Sequence, residues 1–391
     1  MTIDELRVRV ADFLATHDPS TTDRLEFLRA RYDAGLAWVR FPVGHGGLGL
    51  DQTLQPEVDR LFAEAGAPDN EPQSNGIGLG MAAPTILTYG TEEQKDRFLK
   101  PLWTGEEKWC QLFSEPSAGS DLANVSTRAV RDGDEWVVNG EKVWTSIAHL
   151  ARFAILVART DPDAVKHGGL TYFLCDMTDP GVEVRPLRQI TGEAEFNEVF
   201  LTDVRIPDSH RLGAVGEGWR VANTTLNNER VSIGKGGQRE AGMIGRVAQT
   251  WRENPERHTA ELQDRLLQLW VEAEAARVTG VRLAQKLASG QPGPEGSVMK
   301  LLFARNAQRL SGLELELLAE DGLRFSDWTM VRPESVTFTG RDAGYRYLRA
   351  KGNSIEGGTD EVIRNVVSER VLGLPAEPRT DKDRPWKELA K

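Results

Sequence analysis

Apolar positions recur at helical spacing along the first hundred residues. Asp4 to Leu14 and Thr22 to Tyr32 each carry such a stripe, and both predict helices. A third is predicted over Leu54 to Ala65, with Thr53 as N-cap, Pro56 in the first turn and Gly66 as the stop. Thr91-Glu92-Glu93-Gln94 has the form of a cap with an acidic first turn, leading into a helix over Lys95 to Leu102. The pattern then changes. Glu135 to Gly140 reads as a strand closed by an Asn139-Gly140 turn, and Phe153 to Ala158 as a buried strand. Leu170 to Met177, Val182 to Leu187 and Asn197 to Ile206 are rich in β-branched and aromatic residues, bounded by Gly, Pro or Asp. From Gly216 the helical period returns, over Trp219 to Gly234, His258 to Ser289, Ser297 to Asp321 and Thr359 to Arg370. A polar tail is expected from Pro375.

That order predicts an α+β multidomain chain: a helical N-terminal domain over 1–108, a middle antiparallel β-domain over 109–211, and a helical C-terminal region over 212–391. The length of 391 residues and an apolar share of 39% support cores of that number and size. No apolar run approaches the roughly 20 residues a membrane helix needs, and Met1 to Arg7 is charged, so a cytoplasmic protein without membrane insertion is expected. A net charge of −11 without a basic block argues against nucleic acid as partner. Cys110 and Cys175 form no C-x-x-C, the histidines are scattered, and no metal site is expected.

Four segments carry candidate chemistry besides one decoy. Gly44-His45-Gly46-Gly47-Leu48-Gly49 matches G-x-G-x-x-G by letter, after a strand-like Ala37 to Val43. The stretch about 20 residues on holds two prolines and no strand pattern, so a glycine-rich connector is the better account. Phe113-Ser114-Glu115-Pro116-Ser117-Ala118-Gly119-Ser120-Asp121 is small, polar and turn-forming, suited to close backbone approach to a ligand or to a plain surface loop. Val143-Trp144-Thr145-Ser146 places a tryptophan beside two hydroxyls; alone, a strand tryptophan reads as core, and it also suits flanking a flat ring. Asn227-Asn228-Glu229-Arg230 lies in a long helix and reads either as a solvated pair or as a base facing a pocket. Ile355-Glu356-Gly357-Gly358-Thr359-Asp360-Glu361 feeds a helix, which is an ordinary helix start or one offered to an anion.

Taken together and in this order, these segments resemble the acyl-CoA dehydrogenase family from about Gly44 to Pro375. The specific pieces are Thr91 to Lys95, Phe113 to Asp121, Asn139 to Trp144, Gly358 to Val362 and Arg370 to Pro375. The resemblance implies a C-terminal four-helix bundle, noncovalent FAD, an acyl-CoA substrate and α,β-dehydrogenation, with a carboxylate taking the α-proton and hydride passing to flavin N5. It implies a homo- or heterotetramer built as a dimer of dimers, and electron-transfer flavoprotein or a similar acceptor. Carried over by motif, Phe113, Ser114, Trp144 and Ser146 contact the flavin ring region. Gly119 and Ser120 lie by the flavin phosphates and the pantetheine arm. Thr359 and Glu361 lie near the pyrophosphate and ribose, Asn227 and Arg230 by CoA, and Gly357 donates its N–H to the thioester oxygen.

Two departures from the family pattern stand out. Many members place the base just before the Gly-Thr of the last loop, where this chain has Gly357. A branch that includes isovaleryl-CoA and long-chain acyl-CoA dehydrogenases uses a glutamate before an arginine in the long helix, and Glu229-Arg230 fits it. Glu356 is the rival, one residue out of register, and neighbouring residues in extended backbone point to opposite sides. The second departure concerns a neighbour's FAD. The family's Arg-x-x-Phe-Gly and Gly-Gly-x-Gly stretches, which help bind its adenosine end, have no match in Gly245 to Gln249 or Leu318 to Leu323. The similarity extends loosely to actinobacterial heterotetramers acting on steroid-derived acyl-CoAs, within fatty acid or steroid side-chain β-oxidation. The expected activity is therefore acyl-CoA dehydrogenation. The alternatives are a non-catalytic or half-site subunit of a heteromeric enzyme, or an acyl-CoA oxidase-like flavoenzyme.

Overall fold

The computed structural model describes residues 1–233, 239–288, 296–325, 327–336, 340–379, 381 and 383–389. Side chains from Glu229 to Ile233 lie outside that description. Helices α1 (Ile3–Thr16), α2 (Arg24–Asp33), α3 (Gln55–Glu64), α4 (Ala83–Tyr89) and α5 (Glu92–Thr104) come first. Thr2 and Thr91 each close a capping box, with Glu5 and Gln94 as the returning side chains. The expected Thr53 cap is displaced: Asp51 accepts the Thr53 N–H, and Thr53 sits in a short 3₁₀ turn ahead of α3. Phe13, Phe27 and Phe62 meet edge-on at 5.4 to 6.0 Å and centre the first core.

No strand forms over Ala37 to Val43. The Gly46 carbonyl instead accepts from the N–H groups of Ala37 and Trp38, and a Cβ on Gly47 would stand 2.0 Å from the Phe41 carbonyl. The glycines fold the chain back on itself, which removes the dinucleotide reading.

Seven strands follow: β1 (Trp109–Leu112), β2 (Arg128–Asp132), β3 (Glu135–Ser146), β4 (Phe153–Arg159), β5 (Leu170–Asp176), β6 (Val182–Pro186) and β7 (Phe196–Pro207). They run in the order β1-β4-β2-β3-β7-β6, with β5 also pairing β4. The sheet is antiparallel except where β1 and β2 run parallel to β4. Asn139-Gly140 closes no hairpin. The turn is Gly133-Asp134, and β3 continues through Gly140, where its register against β7 shifts and a Cβ would collide with Thr127 at 2.4 Å. β4 is buried on both faces, which explains its unbroken apolar run. Phe153, Ile155 and Val157 join a core shared with α4 and α5, while Ala154, Leu156 and Ala158 join the interior of the β-domain with Cys110 and Cys175.

The last region holds α6 (Gly218–Ile233), α7 (Met243–Glu253), α8 (Ala260–Ala288), α9 (Gly296–Leu318), α10 (Ala343–Ala350) and α11 (Asp360–Val366). Ile244, Val247, Leu266, Leu269, Leu310 and Leu317 form the bundle core. The sequence pattern predicts neither α7 nor α10. The polar stretch from Pro375 to Arg379 is exposed as expected, but beyond it Trp386 is buried against the β-domain. Among the described residues no helix is long and apolar enough to cross a membrane.

Candidate active site

The β-domain half of the site begins where β1 runs on into Phe113-Ser114-Glu115. The Glu115 carboxylate accepts the N–H groups of Ser126 and Thr127 at 2.6 and 2.9 Å, and Lys142 Nζ donates to it at 2.8 Å. Lys142 is wholly buried and also donates to the carbonyls of Phe113 and Val157. Burial alone would raise the Glu115 carboxyl, but the Lys142 ammonium and the N–H donors hold it below the ordinary value. Burial lowers the Lys142 ammonium, opposed by Glu115. The pair fixes the chain on either side of Ser114. The Val143 N–H donates to the Ser114 carbonyl at 2.9 Å, so Ser114 lies beside the Trp144 segment. The Phe113 ring is buried, edge-on to Tyr172.

Between Lys142 and Thr145 the register of β3 against β7 slips. Trp144 there takes φ 61°, a strained conformation for a bulky residue. The slip turns Trp144 out of the core reading: it is 58% exposed and stands edge-on to Phe196 at 5.8 Å. Ser146 is half-buried and pairs with Phe196 in the ladder. Between them the Thr145 hydroxyl is buried with no partner among the described residues. Gly119 and Ser120 are exposed in the loop after Glu115, and a Cβ on Gly119 would have no atom within 4 Å.

The helical half is attached through Phe196. Arg349 on α10 lies over the Phe196 ring at 5.6 Å and pairs with Glu195 at 3.1 Å and Glu356 at 2.9 Å. Next to it, Tyr345 donates to Glu193 at 2.7 Å, and Arg341 also pairs with Glu193. Burial raises the Glu195 carboxyl above the ordinary value, with Arg349 only partly opposing. Glu356 is thus held toward α10. Gly357 and Gly358, at φ 65° and 94°, carry the loop onward through the left-handed region. Thr359 caps α11 by accepting the Val362 N–H at 3.2 Å. Glu361 is exposed, and Lys300 pairs with Asp360 at 3.0 Å, so the start of α11 already carries a balanced charge pair.

Helix α6 is pinned from below. Thr225 is buried and shares hydrogen bonds with Tyr172 (2.9 Å) and Thr85 (3.0 Å), and Thr224 bonds Tyr89 (3.0 Å). Asn227 is exposed; Glu229 stands one helical turn beyond Thr225, and Arg230 follows it. The side chains of Glu229 and Arg230 lie outside the described residues.

The structure joins Ser114, Trp144 and Ser146 in one strip, and connects that strip through Phe196 and Arg349 to Glu356 and the diglycine. It places Gly119 and Ser120 on a separate loop, and Glu361 outward. Lys142, Thr145, Glu195 and Arg349 were not singled out from sequence. Lys142 and Thr145 lie inside quoted motifs, whereas the partners of Arg349 include a residue some 150 positions away, which leaves no local signal. An outward tryptophan, an unpartnered hydroxyl and an open glycine loop fit a flat aromatic ring carrying a phosphorylated arm, as FAD does.

Family models match the chain in three consecutive stretches: the acyl-CoA dehydrogenase N-terminal domain over residues 4–106, the middle domain over 110–204 and the C-terminal domain over 216–372. FadE34 of Mycobacterium tuberculosis, an acyl-CoA dehydrogenase by name, is 45% identical over 349 residues; the match covers 88% of this chain but only 45% of that longer protein. The acyl-CoA dehydrogenase IpdE1 of the same organism is 38% identical, over 88% of this chain and 86% of the relative. Among solved structures, the Tcur3481-Tcur3483 steroid ACAD superposes with a TM-score of 0.74 at 25% identity, over 96% of this chain and 98% of that one. The ChsE4-ChsE5 complex from Mycobacterium tuberculosis gives 0.72 at 28% identity, over 96% and 97%. This chain belongs to the acyl-CoA dehydrogenase family.

Proposed function

We propose that the chain catalyses α,β-dehydrogenation of an acyl-CoA thioester to the trans-2-enoyl-CoA, with Glu229 as general base. The observation that carries the choice of base is the ion pair of Glu356 with Arg349. It occupies the rival carboxylate, and Gly357 has no side chain to act. The family consists of FAD-dependent flavoproteins, and bound FAD would supply the acceptor for the β-hydrogen as hydride. The rest falls to this chain. Glu229 takes the α-proton, which requires a carboxyl raised by burial against the ligands. Charge developing on the thioester oxygen is met by the Gly357 N–H, in a loop that passes through left-handed backbone at Gly357 and Gly358. Trp144, Phe113, Ser114 and Ser146 frame the ring. Gly119 and Ser120 lie by the phosphates, Thr359 and Glu361 by the pyrophosphate and ribose, and Asn227 and Arg230 by CoA.

A bulky, steroid-derived acyl group is the favoured substrate, on the likeness to a structure named as a steroid ACAD. Assembly with a second kind of chain is supported by the two-component names of the similar structures and by the missing adenosine-end stretches. We place the domain boundaries near 108 and 211, the enzyme in the cytoplasm, and electron-transfer flavoprotein as acceptor.

The test is the visible spectrum of the purified chain, alone and with a co-expressed partner. Steroid-side-chain and straight-chain acyl-CoAs are added anaerobically. Flavin bands that bleach on addition are expected. A protein that never binds flavin in either preparation contradicts the proposal. Flavin bound only with the partner, and reduced only at the partner's site, favours a half-site subunit instead.

A further inference from the structure

The segment near the end of the chain reaches back across the β-domain to the loop that carries Gly119 and Ser120. Pro385 bridges Val165, and the N–H groups of Trp386 and Lys387 donate to the carbonyls of Ala164 and Pro162 at 2.9 and 3.0 Å. The Trp386 indole is 6% exposed and lies over the Arg159 guanidinium at 4.5 Å. Its Nε1 donates to Asn124 Oδ1 at 2.8 Å. Arg159 is itself buried, and donates to the carbonyls of Ala123 at 2.6 Å, Val125 at 3.3 Å and Lys166 at 2.7 Å. At the other end, Lys166 donates to both Asp121 at 2.6 Å and Asp381 at 3.1 Å.

Residues 121 to 125 are therefore tied at both ends to a segment more than 250 positions away. Pro116, Ser117, Gly119 and Ser120, just before them, are exposed. An exposed glycine–serine loop that is ordered only when its ligand arrives charges that ordering against binding. A loop held in place beforehand does not.

We propose that Asp381 and residues 383–389 form a positioning strap, in which Trp386 and Asp381 set the Gly119-Ser120-Asp121 loop for a ligand's phosphate groups. The strap rests on the reading of that loop as the phosphate-bearing side of the FAD and acyl-CoA site. Trp386 and Asp381 touch neither ligand and act through Asn124, Arg159 and Lys166.

Three substitutions separate the contacts. Trp386→Ala removes the ring and its N–H. Trp386→Phe keeps a ring over Arg159 and loses the bond to Asn124. Asp381→Asn weakens only the Lys166 end. Amide hydrogen exchange of residues 117–125 is measured by mass spectrometry, with residues 243–253 in the bundle as the internal control, and FAD is titrated into apoprotein.

In Trp386→Ala, exchange over 117–125 is expected to rise about tenfold while the bundle is unchanged, and the dissociation constant for FAD to rise about tenfold. In flavin-saturated enzyme, KM for acyl-CoA rises more than kcat falls. Trp386→Phe and Asp381→Asn give about threefold changes in the same directions, and they carry the test if Trp386→Ala does not fold. Unchanged exchange in all three variants overturns the strap. Faster exchange with unchanged FAD affinity and unchanged KM overturns its positioning role. The exchange measurement needs no turnover, so it stands even if the chain proves not to be a dehydrogenase.

Discussion

The two halves of the site are held by different forces. On the β-domain side, Glu115 and Lys142 form a buried pair bonded to each other, to the backbone of Phe113, Ser126, Thr127 and Val157, and to the Ser126 hydroxyl. On the helical side, Glu356 is 40% exposed at its side chain and shares Arg349 with Glu195, beside two glycines in left-handed backbone. On the proposed reading the first arrangement fixes a surface for the flavin ring. The second holds a loop by contacts that can rearrange when a ligand enters. Rigidity is built where the flat cofactor would rest, and adjustability where the reacting thioester would sit.

The largest effect is expected at Lys142. Replacing it with Met leaves the Glu115 carboxylate buried without its cation, and should destabilise the protein by about 3–5 kcal/mol in urea unfolding. Arg349→Met on the helical side should cost less, about 1–3 kcal/mol by the same measurement, because Glu356 can turn to solvent and only Glu195 is stranded. Trp144→Ala is expected to change stability by less than about 0.5 kcal/mol, since the side chain is largely exposed. Its effect should appear as weaker FAD binding to apoprotein.

The remaining effects concern pH, and the two halves should differ in sign. Asp208, bonded by Arg211 and by the Trp136 Nε1–H, is held down to about 2. A carboxyl lowered in the folded state contributes stability above its ordinary value of 3.8, and that contribution is lost as pH falls from about 4 toward about 2. Glu195 is raised by burial, so its contribution is present below its ordinary 4.5 and is lost as pH rises through the raised value. Thermal unfolding across pH should therefore flatten on the acid side in Asp208→Asn, by about 1 kcal/mol. In Glu195→Gln the decline with rising pH should disappear.

Much of the fold was legible because apolar spacing is a local property. The buried run of β4 and the long helices α6, α8 and α9 follow from it, and the Thr91 cap was legible in its own four residues. What escaped depends on distant partners. Gly140 serves close packing against Thr127 rather than a turn, and Trp144 is turned outward by a register slip that no short window reveals. Trp386 sits in a charged stretch that reads as solvated until Arg159 and Asn124 are brought to it by the β-domain. Helices α7 and α10 are a different case: each is amphipathic in its own right, burying Ile244, Val247 and Ala248 or Ala343, Tyr345 and Ala350, so a local signal for them was present. The candidate ligand residues were legible as motifs. The Arg349 network on which the proposed choice of Glu229 over Glu356 rests was not, because Glu195 and Arg349 meet only in the folded chain.

The account turns on which carboxylate takes the α-proton. The direct measurement is the anaerobic rate of flavin reduction by acyl-CoA in flavin-loaded protein, compared among wild type, Glu229→Gln and Glu356→Gln. Glu229→Gln should slow reduction by about a thousandfold at unchanged flavin content, while Glu356→Gln stays within about tenfold of wild type. A Glu356→Gln variant that cannot reduce its flavin, beside a Glu229→Gln variant that still does, would contradict it.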